Sequence, residues 1–164
     1  MERALVTKEY FLRPGYLYLT QEPNIIYTVL GSCVMVCLWD RQNGTTGTCH
    51  FKYPYTSDRN QSTPEYGNVA LSSLISMMMR SGSSRFSLEA MIFGGADREE
   101  KGNTGEMNVK IAHRILKEKK IKVVSEDTKG LLGRKIMYHT ETNQAVIYKI
   151  RKLRDMDWYP YSNV

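Results

Sequence analysis

The alternation of apolar and polar positions predicts short strands in the first third of the chain. Residues 4–13 and 16–20 alternate loosely around a turn at 13–15, and residues 24–29 are rich in β-branched side chains. Both features are typical of strands separated by tight turns. An almost continuous apolar run over 34–39 then predicts a buried strand.

A hairpin is expected directly after this buried strand. The polar stretch 40–47 contains Asn43-Gly44, a dipeptide strongly favoured in hairpin turns. The returning strand should therefore begin near Thr46 and run back beside 34–39. For a hairpin whose tip lies near residue 43, paired residue numbers sum to about 84–86, which puts His50 opposite residues 34–36.

The first helix is predicted from its start signal and its periodicity. Thr63 followed by Pro64 is typical of an N-cap and a first helical turn. Apolar residues then recur at helical spacing from 71 to 78, and Gly82 is a suitable C-terminal stop. A helix packed through one face against a sheet fits this pattern.

The second half of the chain predicts another helix between further strands. Residues 88–95 read as a strand, and Asn103 with Glu106 resembles a capping box that starts the helix. Strand patterns return at 121–127 and in a final hairpin over 134–150. About eight strands with two main helices predict an α+β fold, a mixed α/β sandwich with a largely antiparallel or mixed sheet.

Composition narrows the class of protein. The 164 residues predict a single domain over 1–164, with a basic and aromatic tail from about 150 to 164. No apolar run reaches the roughly 20 residues of a membrane span, and the first residues lack a signal-peptide pattern. We therefore expect a cytoplasmic protein without membrane insertion, whose three cysteines are free thiols.

The net charge of +6 favours an acidic partner but does not identify it. The basic stretch 149–154 could contact nucleic acid, although a solvated strand end is the more common role of such a cluster. An acidic protein surface fits the charge equally well. We expect a protein partner and no binding of nucleic acid.

Cys33 and His50 are the residues that suggest chemistry. Cys33 follows the small turn pair Gly31-Ser32, and the hairpin should bring His50 onto the neighbouring strand. A neighbouring imidazole can take the proton of a thiol and so activate it as a nucleophile. N–H groups at the turn could hold an oxyanion, and Thr28 on the incoming strand could orient the imidazole ring.

Other roles for these residues are open at this stage. A cysteine and a histidine on paired strands are often only core residues. A metal site built from Cys33, Cys37, Cys49 and His50 is disfavoured, because adjacent strand residues point to opposite faces. Gly94-Gly95 follows a strand without any phosphate-binding motif, so nucleotide binding has little support. We expect neither a metal nor a cofactor.

Four segments, in this order along the chain, resemble the CheD family of chemoreceptor glutamine deamidases. The first two, TVLGSCVMVCLWD and GTCHFKYP, contain Cys33 and His50, and the second resembles a G-x-x-H-x-x-x-P motif. The others are IFGGAD and VVSEDTKGLLGRKIMYHTETNQAVI. The four are spread over residues 28–147, which is most of the chain, and the ordered set is far more specific than any one of them.

The resemblance implies an α/β sandwich with a Cys-His-Thr triad that converts selected receptor glutamines to glutamates and releases ammonia. Carried over by position, Cys33 is the nucleophile, His50 the general base and Thr28 the orienting residue. The substrate and oxyanion region then includes Gly31, Ser32, Gly94 and Gly95.

The resemblance implies chemoreceptor cytoplasmic domains as partners, with a CheC-type phosphatase as a further candidate. The alternative is a non-catalytic adaptor that docks to these same partners. Two segments depart from the family pattern. Met107 stands where the family often has arginine in an IGxRN-like segment, and the tail 155–164 matches no family segment.

Overall fold

The computed structural model describes residues 7–97 and 102–152. Within these ranges the chain forms nine strands and two α-helices, which confirms the predicted α+β class. The elements in chain order are β1 (Lys8–Phe11), β2 (Leu17–Thr20), β3 (Asn24–Leu30), β4 (Val34–Asp40), β5 (Thr46–Phe51), α1 (Gly67–Arg80), β6 (Leu88–Gly94), α2 (Thr104–Glu118), β7 (Lys122–Thr128), β8 (Gly133–His139) and β9 (Gln144–Ile150).

The larger of two sheets has five strands in the order β2-β5-β4-β6-β7. Its central strand β4 is the apolar run expected to be buried, and all residues from Val34 to Leu38 are indeed buried. Neighbouring strands are antiparallel except β6 and β7. That pair is parallel because α2 carries the chain back across the sheet before β7 begins.

Helices α1 and α2 cover one face of the larger sheet. Alternate residues of the central strands point toward them, so Val36 and Phe51 share one core with Leu74 of α1 and Leu116 of α2. Burying a leucine completely contributes about 1.5–3 kcal/mol relative to leaving it exposed. This apolar layer therefore fixes both helices on the sheet.

A second sheet covers the opposite face. It has four strands in the order β1-β3-β8-β9, and it encloses a separate core with the larger sheet. Met35 and Phe93 enter this core from one side, and Ile26 and Ile136 enter it from the other. The pattern of residues predicted the strands but not their division between two sheets, which only the family resemblance implied.

The β4–β5 hairpin has the register expected from its turn. Met35 lies opposite His50, and β5 begins at Thr46 as predicted. Gly44 has a φ of +73°, a left-handed conformation that glycine adopts without steric penalty. The local turn chemistry therefore fixes where His50 lies along the sheet.

Helix α1 begins at Gly67, later than predicted, and its N-cap residue is Tyr66. The prediction of an N-cap at Thr63 was wrong. The carbonyl of Glu65 accepts hydrogen bonds from the N–H groups of residues 52 and 53, at 2.8 and 3.0 Å. This pairing with the chain after β5 holds the segment out of the helix and outweighs the local capping signal.

Helix α2 has Asn103 at its N-cap, as predicted, but not the predicted capping box. The Asn103 side chain makes no capping hydrogen bond. Instead the carboxylate of Asp97 accepts from the N–H groups of Gly105 and Glu106 at 2.8 and 2.9 Å. A carboxylate at a helix N-terminus also interacts favourably with the helix dipole.

Two predictions concern the ends of the chain. The strand expected over 4–13 is observed from Lys8 to Phe11, and residues 1–6 lie outside the described part. The predicted tail lies outside it from residue 153 onward. Neither of the α-helices in the described ranges is long and apolar enough to cross a membrane.

Candidate active site

The Gly31-Ser32 turn carries the chain from one sheet to the other. Strand β3 ends at Leu30 in the four-stranded sheet, and β4 begins at Val34 in the five-stranded sheet. Cys33 therefore lies at one end of the layer between the sheets, where it is partly exposed. Both flanking strand residues are fully buried, so the thiol is held rigidly and keeps access to solvent.

Cys33 and His50 lie on the same face of the larger sheet. Met35 is opposite His50, and Cys33 precedes Met35 by two positions, so the three side chains share one side. Cys33 also packs against the core between the sheets. Diagonal neighbours in an antiparallel pair have Cα atoms roughly 7–8 Å apart, a separation that side chains can span.

Thr28 reaches His50 from the other sheet. Its Oγ1 lies 2.8 Å from Nδ1 of His50 and donates a 2.7 Å hydrogen bond to the carbonyl of Leu12. A hydroxyl has one hydrogen, and because Leu12 receives it, the bond to His50 must be donated by Nδ1–H. This fixes the neutral tautomer in which Nε2 carries the lone pair that can accept a proton.

Both residues of this pair are fully buried. Burial lowers the pKa of His50 to about 3, because an imidazolium is poorly solvated there, while the Leu12 carbonyl acts in the opposite direction. The resting protein therefore holds a neutral imidazole at physiological pH. In the folded protein the ring takes up a proton only near pH 3, unless a negative charge forms close to it.

Gly94 and Gly95, predicted to lie in the substrate region, support the backbone of the Cys33 turn. The N–H of Gly95 donates to the carbonyl of Cys33 at 2.9 Å, and that of Ala96 donates to Gly31 at 3.0 Å. Gly94 has a φ of +105°, and a Cβ there would collide with the Cys33 carbonyl oxygen. The Gly95 N–H is thus engaged by the turn itself.

Asn108 of α2 contacts the site, although it was not among the predicted site residues. Its side chain is fully buried, and Nδ2 donates to the carbonyls of Ser32 and Lys52, both at 2.8 Å. One amide therefore links the residue before Cys33 to the chain just after β5. The signal that could have found it is the IGxRN-like segment, in which Asn108 directly follows Met107 and occupies the asparagine position.

Lys52 places a positive charge beside Cys33. Its ammonium group pairs with Glu65 at 3.2 Å on the protein surface. The pKa of Lys52 is raised chiefly by the hydrogen bond to Glu65, and Cys33 makes a smaller contribution of the same sign. A cation near the thiol favours its ionised form.

The remaining cysteines and histidines lie away from this arrangement. Burial raises the pKa of Cys37 well above its usual value and that of Cys49 to about 12. Cys49 packs in the helix-side core, so it cannot share a metal with His50. His113 lies on α2 and His139 on β8. Among the described residues, no three His, Cys, Asp or Glu side chains cluster as metal ligands.

Cavities that open on the surface of the described part include two of different size. The smaller, about 280 Å³, is lined by Met107 and Ile111 of α2 together with Tyr55, and the basic side chains of Lys110 and Arg114 border it. Met107 is 40% exposed there, at the position where the family often has arginine. The larger, about 670 Å³, is lined by parts of β6, β7 and β9 and contains none of the predicted site residues.

Comparison with known proteins adds to this geometry. The model of a family described as CheD chemotactic sensory transduction matches residues 54–149. A probable chemoreceptor glutamine deamidase CheD from Sulfurimonas denitrificans is 36% identical over 147 residues, which cover 87% of this chain and 94% of the relative. An alignment of that extent includes Cys33 and His50 wherever it begins.

Two further relatives carry similar names. A probable chemoreceptor glutamine deamidase CheD from Trichlorobacter lovleyi is 38% identical over 144 residues, covering 85% of this chain and 89% of the relative. The relative from Anaeromyxobacter dehalogenans, a probable chemoreceptor glutamine deamidase CheD 1, is 38% identical over 144 residues, covering 85% of this chain and 84% of the relative. The similarity therefore extends over nearly the whole length of each relative.

Proposed function

The chain belongs to the CheD family, and from that premise we propose that it is a protein-glutamine deamidase acting on chemoreceptors. It converts selected receptor glutamines to glutamates and releases ammonia. Cys33 is the nucleophile, His50 the general base and Thr28 the residue that orients the imidazole. No metal or cofactor takes part in this scheme.

The first half of the reaction forms a thioester. The Cys33 sulfur attacks the side-chain carbonyl carbon of the glutamine, and its proton moves to Nε2 of His50. Negative charge develops on the amide oxygen, and we assign its stabilisation to N–H groups of the Gly31–Cys33 turn. When the tetrahedral intermediate collapses, the C–N bond breaks, and His50 returns the proton to the departing ammonia.

The second half restores the thiol. His50 is neutral again and takes a proton from water, whose oxygen attacks the thioester carbonyl. The C–S bond then breaks, Cys33 recovers its proton, and the substrate side chain leaves as glutamate. Water is consumed and ammonia is released, so the cycle needs no oxidant and no further reactant.

The hydrogen bond between Thr28 and His50 is the observation that carries the proposal. Every buried imidazole must pair its N–H, so the informative point is which ring nitrogen keeps the lone pair. Here the Leu12 carbonyl and the Thr28 hydroxyl together direct Nδ1–H, leaving Nε2 as the basic atom. The orientation of a base by a third group is the arrangement that nucleophilic hydrolases on unrelated folds share.

The test is incubation with the organism's own chemoreceptor cytoplasmic domains, followed by peptide mass analysis for glutamine-to-glutamate conversion. The wild-type chain should convert particular glutamines, and Cys33→Ala should convert none while still binding the receptor. Conversion that survives in Cys33→Ala would overturn the mechanism. Receptor binding without conversion by the wild type would favour the adaptor alternative instead.

The same proposal concerns partners and location. A substrate in the cytoplasmic domain of a receptor requires the protein to act in the cytoplasm. A CheC-type phosphatase is a further partner, and co-purification of the two proteins tests that interaction. The net charge of +6 predicts that receptor binding weakens as salt rises, because exposed charges are screened over roughly 8–10 Å at physiological ionic strength.

A further inference from the structure

We propose that Asn108 is a positioning residue that holds Cys33 in register with His50. The inference rests on the proposed function, since it concerns the same thiol and imidazole. Asn108 does not reach the substrate in this scheme. It acts through the backbone, by joining the turn that carries Cys33 to the chain that leaves β5.

The orientation of the Asn108 amide is fixed by its partners. Both groups that it contacts, the carbonyls of Ser32 and Lys52, are acceptors, so the NH₂ group must face them. Its two hydrogens match the two carbonyls, one for each side of the site. A carboxylate at this position would face the same carbonyls with no hydrogen to donate.

The Asn108 amide lies just beyond the end of the hydrogen-bonded ladder between β4 and β5. The last registered pair of β4 with β5 is Val34 with Phe51, and Cys33 comes directly before it. On that side the ladder therefore ends one residue short of the thiol. Just beyond this point Asn108 links the segment before β4 to the segment after β5. The Gly95 N–H holds the carbonyl of Cys33 from the β6 side.

Burying this amide is unfavourable by itself. Within the part of the chain that the structure describes, Asn108 Oδ1 is buried without a hydrogen-bond partner. The surrounding face of α2 is apolar and includes Val109, Ile111 and Ala112. A buried acceptor without a partner is unfavourable. We infer that Asn108 is buried there because its two hydrogen bonds to the carbonyls of Ser32 and Lys52 are needed at the site.

Asn68 provides a matched control from the other helix. Its Nδ2 donates to the carbonyl of Thr56 at 2.9 Å, and its Oδ1 accepts from the Thr56 N–H at 3.1 Å. Like Asn108 it ties a loop to a helix through one side-chain amide. The loop that it ties contains none of the proposed catalytic residues.

The experiment compares Asn108→Ala with Asn68→Ala on receptor substrate. Asn108→Ala should lower kcat by about 10- to 100-fold with KM changed less than about threefold, because a displacement near 1 Å can reduce a rate by that factor. Asn68→Ala should lower the melting temperature and leave kcat unchanged. Rates are expressed per folded molecule, counted by circular dichroism and gel filtration.

A double-mutant cycle separates positioning from general loss of structure. If Asn108 acts through the Cys33–His50 geometry, Asn108→Ala should change the residual rate of His50→Ala by less than about threefold. Equal factors in both backgrounds would overturn the proposal, as would a folded Asn108→Ala with wild-type kcat. A wild-type chain that deamidates nothing would instead count against the proposed function itself.

A milder variant covers the case in which Asn108→Ala does not fold. Asn108→Ser keeps one donor at the site and removes less volume. Asn108→Ser should fold and show a kcat below that of the wild type but above the roughly 10- to 100-fold loss expected for Asn108→Ala. KM should again be nearly unchanged. A folded Asn108→Ser with wild-type kcat, paired with an unfolded Asn108→Ala, would assign Asn108 to stability alone and overturn the proposal.

Discussion

The two faces of the larger sheet differ in what they bury. The face under the helices is almost wholly apolar, and its β5 contribution is Cys49 and Phe51. The face under the second sheet buries His50 and Thr28 together at one end, beside the partly exposed Cys33. Adjacent residues of one strand, Cys49 and His50, therefore belong to different environments.

A single strand can therefore carry both a side chain that packs the core and one proposed to act in catalysis. Side chains alternate between the faces, so each face can carry its own composition. The core under the helices is built almost entirely from apolar side chains, whereas the core under the second sheet also holds Thr28 and His50, which hydrogen-bond to each other. The predictions below test whether the two faces are separable in this way.

The largest effect is expected for the neighbouring pair on β5. His50→Ala should lower the deamidation rate by about three orders of magnitude or more, because the thiol loses its base. Cys49→Ala should cost about 1 kcal/mol of folding stability, a typical core truncation, with the rate per folded molecule unchanged. Receptor deamidation and urea unfolding measure the two quantities.

His113→Ala is the control for the histidine. It lies on α2 against Glu126, away from the site, and should keep the wild-type rate. If His50→Ala remained active, or if Cys49→Ala were inactive while folded, the separation of the two faces would be wrong.

The cysteines should differ by two or more orders of magnitude in their reaction with iodoacetamide. Cys33 is partly exposed, whereas Cys37 and Cys49 are buried and have raised pKa values. Only the thiolate reacts with iodoacetamide. Burial therefore slows the alkylation of Cys37 and Cys49 in two ways, because it limits access of the reagent and disfavours ionisation of the thiol. Peptide mapping after limited alkylation of the folded protein gives the three rates, and similar rates would contradict the burial of Cys37 and Cys49.

Thr28→Val should lower the deamidation rate by about 10- to 100-fold. The substitution keeps the shape of the side chain but removes the hydroxyl that accepts from His50 Nδ1–H, so the imidazole loses its fixed orientation. Thr48→Val is a suitable control, since Thr48 is a buried threonine of β5 whose hydroxyl contacts only the Tyr18 carbonyl among the contacts described. Full activity in Thr28→Val would move the orienting role to the Leu12 carbonyl.

The smallest effect concerns pH. The base must be neutral, and burial lowers the pKa of His50 to about 3, so the active form persists well below pH 6.5. Between pH 7 and 5 the value of kcat/KM should change less than about twofold from this group. A histidine with the ordinary pKa near 6.5 would lose roughly 25-fold over that range. An acid limb near pH 6.5 would contradict the buried, neutral imidazole.

The same shift affects stability with a definite sign. Unfolded His50 binds a proton below about pH 6.5, whereas the folded group does not until about pH 3. In that window the unfolded state binds more protons, so stability falls as pH falls, by up to about 1.4 kcal/mol per pH unit. Urea unfolding between pH 7 and 5 should show this slope, and His50→Gln should reduce it.

The hairpin could be predicted from sequence because its information is local. The Asn43-Gly44 turn set the pairing of β4 with β5, and His50 was found opposite Met35 within the expected range. Helix positions and strand identities were predictable for the same reason, since periodicity is a property of neighbouring residues.

The rest depended on contacts between distant segments. Nothing in the sequence near Thr28 indicates that β3 lies in a different sheet from β4. The distance between Thr28 and His50 therefore could not be derived from the spacing of the two residues. The cap of α2 by Asp97 and the late start of α1 depend on tertiary hydrogen bonds that local signals do not contain. Asn108 lies more than seventy residues from Ser32 in the chain and touches it only in the folded protein.

The placement of Thr28 and His50 on different sheets has a consequence for newly made chains. The imidazole receives its orientation only when the second sheet has docked onto the first. A chain in which the layers have not yet met keeps a thiol but lacks an aligned base. If Cys33 and His50 act as proposed, the fold is also an interlock, because glutamine is present on nearly every protein surface and an immature molecule would lack the aligned base needed to attack it.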